Sequence, residues 1–259
     1  MEGTVMLSAA VLLVLLFLKV PVFVSVLAGG VTYFLMVPNL PGTIFVQRVI
    51  AGTESIPLLA IPFFVCAGVF MNYTGVTKRI MNFCSVLLGT FVGGLAQVAI
   101  LLSTLMGGLS GSNLADAAME AKMLVPEMTK RGFSLEFSSV VTATSAIITP
   151  LIPPGIAMII YGSIANISIG KLFVAGFGPG ILLCILLMIM VSIISHKRNY
   201  KATRTEPITA QAFLSALRGA IPVLILPIVI IGGIRLGVFT PTEAGVVAIM
   251  YSIVLGLYY

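Results

Sequence analysis

The chain has 259 residues, of which 59% are hydrophobic and 8% charged, and its mean hydropathy is +1.18. An ordinary soluble domain carries about 25% charged residues, so this composition excludes a typical soluble protein and makes lipid the solvent. The formal net charge of +6 does not imply a nucleic-acid partner, because the basic residues fall in short clusters between apolar runs, where membrane topology accounts for them.

Several apolar runs reach the roughly 20 residues that a helix needs to cross a hydrocarbon core, whereas barrel strands would alternate over about 10. An all-α polytopic membrane protein is therefore expected. Spans are predicted at 4–18, 20–37, 55–74, 134–165, 168–195, 212–234 and 242–259. The first is read as a retained helix, since Met1-Glu2-Gly3 lacks the leading positive charge of a cleavable signal. A connector at 38–54 mixes apolar and polar residues and is expected to lie along the outer interface as a short amphipathic helix. Cys66, Cys84 and Cys184 stand alone inside apolar segments, with no spacing that suggests a metal or a disulfide framework.

Residues 82–128 stand out. Two apolar arms, 86–106 and 114–128, are joined by "GGLSGSN", whose glycines and small polar residues favour a turn over continued helix. Short cytoplasmic loops collect Lys and Arg. Placing the cluster from His196 to Arg204 in the cytoplasm puts Lys130-Arg131, Lys78-Arg79, Lys19 and Arg218 inside as well. Only Arg48, Lys171 and Arg235 then fall outside, and the N-terminus is periplasmic. Both arms of 82–128 enter and leave by the cytoplasmic face, which makes this stretch a re-entrant hairpin with its tip inside the membrane.

Non-helical backbone cannot face lipid and must be buried in protein or line a wet cavity. A helix starting after Ser112 or Asn113 directs free amides at the tip, and the arm ending near Met106 presents unpaired carbonyls. Amides suit an anion and carbonyls suit Na⁺. A second interruption, "ITPLIPPGIAM", removes backbone donors at Pro150, Pro153 and Pro154 and loosens the chain at Gly155, so 134–165 is read as a broken helix. Thr142, Thr144, Ser145 and Thr149 on its first half offer hydroxyls for a Na⁺ shell. Paired interruptions of this kind are the best sequence pointer to a transporter's midplane site.

Plainer readings stand beside these. Gly89/Gly93, Gly176/Gly180 and Gly233/Gly237 have GxxxG spacing and are read as close helix packing. Asp116, three residues after Asn113, is read as a helix cap ahead of an ion ligand, although an intramembrane carboxylate stays a functional candidate. Glu120 and Lys122 are expected to pair or snorkel. Gly108-Leu109-Ser110-Gly111 spells the GxSG of some intramembrane proteases, but the one histidine, His196, lies at a helix end too far away to act as the base. No Walker sequence is present, and neither an enzyme nor an organic cofactor is expected.

"GGLSGSNLADAAMEAKMLVPEMTKRGFSLEF", "ITPLIPPGIAMIIYG", "SIGKLFVAGFGPGILL" and "GVFTPTEAGVVAIMY" together resemble the large membrane subunit of the tripartite ATP-independent periplasmic (TRAP) transporters, the C4-dicarboxylate-type large permease. The resemblance implies a bacterial inner-membrane protein that imports organic acids such as C4-dicarboxylates, sialic acid or sugar acids with a Na⁺ gradient. Its implied partners are a small four-helix membrane subunit, a periplasmic substrate-binding protein and membrane lipid. It also implies two inverted repeats in an elevator-type fold. Residues 1–81 would then be scaffold helices and connector, 82–165 half of the transport domain, and 166–259 further scaffold and the start of a second repeat. The chain is thus read as roughly the first three-fifths of a permease. By motif, Ser110, Gly111, Ser112 and Asn113 at the tip and Pro153, Pro154 and Gly155 at the break would meet substrate. Gly108, Ser110, Asn113, Thr144, Ser145, Thr149 and Pro150 would serve Na⁺. The alternatives are a stand-alone Na⁺/dicarboxylate symporter and a non-transporting membrane scaffold.

Overall fold

A computed structural model describes residues 2–37, 41–203 and 208–259. The start of the 38–54 connector and Arg204 of the basic cluster lie outside the described residues. Among those described every regular element is helical, and contacts divide the chain into two units, Met1–Ser55 and Ile56–Tyr259.

The first unit holds α1 (Glu2–Phe17), α2 (Val22–Met36) and α3 (Gly42–Thr53). Helices α1 and α2 approach closely at Gly29, where a side chain would meet the Ser8 carbonyl at 3.1 Å and Leu12 at 3.3 Å. Phe34 of α2 meets Phe45 of α3 with ring centroids 5.3 Å apart. The helix expected in the connector is thus present as α3, and none of its residues is buried.

The second unit contains α4 (Ala60–Tyr73, preceded by a 3-10 turn at Ile56–Leu59), α5 (Val76–Leu88), α6 (Gly94–Ser110), α7 (Asn113–Lys130), α8 (Leu135–Ser145), α9 (Ile156–Ala165), α10 (Ile169–Lys197), α11 (Ala210–Arg235) and α12 (Pro241–Tyr258). Four stretches among the described residues are long and apolar enough to cross a membrane: Ile56–Tyr73, α10, α11 and α12. Their starts carry local signals. Ser168 caps α10 by accepting from the Lys171 amide at 3.4 Å. Thr240 and Glu243 form a reciprocal capping box behind Pro241 at the head of α12, which satisfies amides that would otherwise lack partners.

Helix α6 is the centre of this unit. Fourteen of its 17 residues are buried, and it packs against α4, α5, α7, α8 and α10. The Gln97 amide nitrogen donates to the Met188 carbonyl of α10 at 2.9 Å. Helices α6 and α7 form a hairpin whose tip consists of Gly111 and Ser112 alone. This corrects two boundaries. The first arm does not run from 86 to 106: α5 stops at Leu88, residues 89–93 turn, and a separate helix runs from Gly94 to Ser110. Gly93 takes φ +72° and lies against Ser195 of α10, so Gly89 and Gly93 belong to a turn and not to one helix face. Gly107 and Gly108 are helical, and the arm ends four residues later than the glycine pair suggests.

The 134–165 segment is broken as expected. Helix α8 gives way to a 3-10 turn at Thr149–Leu151, Ile152 is extended, and α9 resumes at Ile156, with 42° between the two halves. Gly176 and Gly180 of α10 face this break, next to Leu151, Met158 and Ile152; they are packing glycines. Gly233 and Gly237 instead end α11, where the Gly233 carbonyl accepts from Val238 at 2.8 Å and Phe239 at 3.2 Å. The chain after α10 returns to the base of the hairpin: Tyr200 packs on Phe133 and Phe137 at 4.5 and 5.2 Å, and Arg131 donates to the Thr203 carbonyl at 2.9 Å.

Candidate functional site: the hairpin tip against the broken helix

The tip forms because Gly111 adopts φ +61°, a left-handed conformation that costs other L-residues roughly 1–2 kcal/mol. Ser112 is then extended and starts α7, its hydroxyl accepting from the Ala115 amide at 3.4 Å. Ser112, not Asp116, is the cap.

Absent side chains let the tip seat in the break. A Cβ on Gly107 would come within 2.9 Å of Thr149 Cα, one on Gly108 within 3.2 Å of the Pro153 carbonyl, and one on Gly111 would collide with the Pro154 carbonyl. On the opposite side, a Cβ on Gly68 of α4 would reach Ser110 Cα at 3.0 Å. The Ile156 amide donates to the Gly111 carbonyl at 3.3 Å, joining the head of α9 to the tip. Pro153, Pro154 and Gly155 are buried. The Gly155 carbonyl is consumed by Met158 and Ile159, whereas those of Pro153 and Pro154 accept no bond among the described residues.

Two carboxylates lie beneath the tip, one helical turn apart on α7. Asp116 and Glu120 are both 0% exposed. Asp116 Oδ2 accepts from Ser110 at 2.7 Å and from Thr149 at 2.9 Å. Asp116 Oδ1 is buried without a partner among the described residues. Glu120 accepts from Ser103 at 2.6 Å through Oε1 and from Ser145 at 3.1 Å through Oε2. Each acid therefore ties an arm of the hairpin to the broken helix, and no lysine or arginine pairs with either among the described residues.

Ser110, Gly111, Ser112, Thr149, Pro153, Pro154 and Gly155 thus come together, with Gly108 against the same break. Asn113 is exposed beside the tip. Pro150 packs its carbonyl against Gly155. Thr144 stands apart: its hydroxyl is spent on the Val140 and Val141 carbonyls of its own helix, at 2.7 and 3.1 Å, and Thr142 back-bonds in the same way. Ser145 reaches the site through Glu120, which neither snorkels nor pairs with Lys122. Sequence reasoning missed Ser103 and gave Glu120 only a pairing or snorkelling role. The usable signal was helical spacing, since Asp116 and Glu120 share the face of α7 that carries Leu124 and Met128.

A helical chain with apolar helices of spanning length, a buried hairpin and a Pro-broken partner helix is a multi-pass membrane protein. The chain belongs to the family described as the tripartite ATP-independent periplasmic transporter, DctM component, which matches residues 9–259. It is 41% identical over 255 residues to the sialic acid TRAP transporter permease protein SiaT of Haemophilus influenzae, covering 98% of this chain and 41% of that protein. It is 42% identical over 249 residues to the sialic acid TRAP transporter large permease protein SiaM of Vibrio cholerae, covering 93% and 56%. To the C4-dicarboxylate TRAP transporter large permease protein DctM of Pseudomonas aeruginosa it is 34% identical over 232 residues, covering 90% and 54%. These relatives are named as transporter permeases and not as enzymes. The chain spans about half the length of the curated relatives it matches.

Proposed function

We propose that this chain contributes the first half of the substrate and ion pathway in a Na⁺-coupled permease that imports organic acids. The acid would be delivered by a periplasmic binding protein, and the permease would work with a small four-helix membrane subunit in the bacterial inner membrane, N-terminus outward. Relatives named for sialic acid and for C4-dicarboxylates support an organic acid as the cargo class.

The observation that carries the reading is Asp116. A carboxylate buried among hydroxyls, with no basic partner among the described residues, bears a desolvation cost of several kcal/mol unless a countercharge arrives, and its Oδ1 has no partner among them. Na⁺ fits this chemistry: a hard cation prefers oxygen ligands, and Asp116, Ser110 and Thr149 supply oxygens. The free Pro153 and Pro154 carbonyls and the α7 amides at the tip offer complementary ends for cation and carboxylate. Occupancy of the pair of interruptions would then bias an elevator-like exchange of the hairpin and broken helix between the two faces of the membrane.

The test is uptake by the full-length permease with its small subunit in proteoliposomes. Accumulation of labelled N-acetylneuraminate or succinate should require both an inward Na⁺ gradient and the binding protein. Uptake indifferent to either would sink the proposal.

A further inference from the structure

Helix α7 carries two chemically opposed faces. Asp116 and Glu120 are buried, while Leu114, Ala118 and Lys122, at the same four-residue spacing, form an exposed stripe that starts beside the tip. Lys122 lies nine positions after Asn113, roughly 14 Å along the helix. At Lys122 a cleft of about 480 Å³ opens between α7 and the junction of α4 with α5.

The cleft is mostly apolar, and the polar groups on its lining are donors. Lys122 of α7 and Lys78 of α5 both line it, and Asn72 and Tyr73 contribute an amide and a hydroxyl. The buried Thr77 hydroxyl donates to Asn72 Oδ1 at 2.8 Å, which takes up the amide oxygen and leaves the NH₂ group for a ligand. Among the described residues no acidic side chain lines the cleft and neither lysine is in an ion pair. Val69, Met119 and Met123 provide apolar wall. Two lysines and an amide beside aliphatic and thioether surface match a small organic anion, whose carboxylate would be met by charge and whose carbon skeleton by the wall. Lysine holds a carboxylate as a point charge and not in a fixed fork, which suits brief occupation.

We propose that the Lys78–Lys122 cleft is an oxyanion site on the inward release path, where the carboxylate of the transported acid pauses after leaving the tip. The inference rests on the transport reading above and on the distribution of basic residues, which is expected to put Lys78 and Lys130 on the cytoplasmic side. A phosphate of an anionic lipid has the same oxyanion chemistry, so the test separates the two sources.

Exchange is measured in proteoliposomes holding the full-length permease, its small subunit and external binding protein, with N-acetylneuraminate or succinate, whichever the wild type takes up. The double variant Lys78→Gln/Lys122→Gln should raise the internal concentration that half-saturates exchange about tenfold and leave the external half-saturating concentration unchanged. Lys78→Arg/Lys122→Arg should restore the internal value. Vesicles of phosphatidylcholine with and without phosphatidylglycerol should give the same result. Equal shifts on both faces, an unchanged internal value, or an effect confined to phosphatidylglycerol vesicles would each overturn the assignment. If the double variant fails to reach the membrane, the two single variants carry the measurement, each with an expected rise of about threefold. A wild type that exchanges neither acid brings down the transport reading together with this one; wild-type exchange unaffected by the variants removes this one alone.

Discussion

Proline has opposite consequences in two parts of the second unit. Helix α10 contains Pro179, and α11 contains Pro222 and Pro227, yet they run unbroken for 29 and 26 residues. The 134–165 segment, with Pro150, Pro153 and Pro154 followed by Gly155, bends by 42°. A lone proline removes one intrahelical donor and the helix continues around it. Three within five positions remove most of a turn's donors, and the freed backbone then needs a new partner. The hairpin tip supplies one such partner, the Gly111 carbonyl that accepts from the Ile156 amide, and its glycines let it seat in the break. A break is thus a property of two segments, whereas a tolerated proline is a property of one.

The largest effect is expected where the fit is tightest. Gly111→Val forces a β-branched residue to φ +61° and drives a side chain into the Pro154 carbonyl. With strain of about 1–3 kcal/mol from the backbone alone, uptake should fall by about a hundredfold or more at normal membrane abundance. Uptake within twofold of wild type would mean that the tip does not seat in the break during transport.

Asp116→Ala removes a charge and strands the Ser110 and Thr149 hydroxyls. Hydrogen bonds to charged groups contribute about 1.5–3 kcal/mol each, so the Na⁺ concentration that half-saturates uptake should rise by more than tenfold. An unaltered Na⁺ dependence would remove Asp116 from the ion pathway.

Glu120→Ala should act on cohesion, because Ser103 and Ser145 lose a shared acceptor. A cost of about 1–3 kcal/mol should appear as a lower thermal unfolding midpoint in detergent, with Glu120→Gln recovering part of it. No change in midpoint would show that the arms are held together without this acid.

Pro179→Ala and Thr144→Ala should do least. The first restores one donor to a helix that is already continuous, and the second deletes a hydroxyl bonded only within α8. Both should stay within about 0.5 kcal/mol of wild-type stability and keep normal uptake; a large uptake defect in Thr144→Ala would return that hydroxyl to the site.

Much of the fold was legible because its causes are local. Apolar runs long enough to span placed α4, α10, α11 and α12 to within a few residues, and the proline cluster marked the break. The end of α6 was not legible. Gly107-Gly108 looks like a turn in isolation, but both are helical, and their missing side chains leave the space that Thr149 and Pro153 occupy. Likewise Gly89 and Gly93 have helix-packing spacing, and Ser195, a hundred residues downstream, is the residue that lies against their turn.

By itself the sequence determined the solvent, the helical class, the family and the two interruptions, since hydropathy, donor loss and motif are written in consecutive residues. Only the tertiary structure decided which polar groups share a site. Asp116 meets Thr149 across 33 residues and Glu120 meets Ser145 across 25. A buried carboxylate finds its donors by proximity in space, and nothing in linear order distinguishes Thr149, which reaches one, from Thr144, which bonds its own helix.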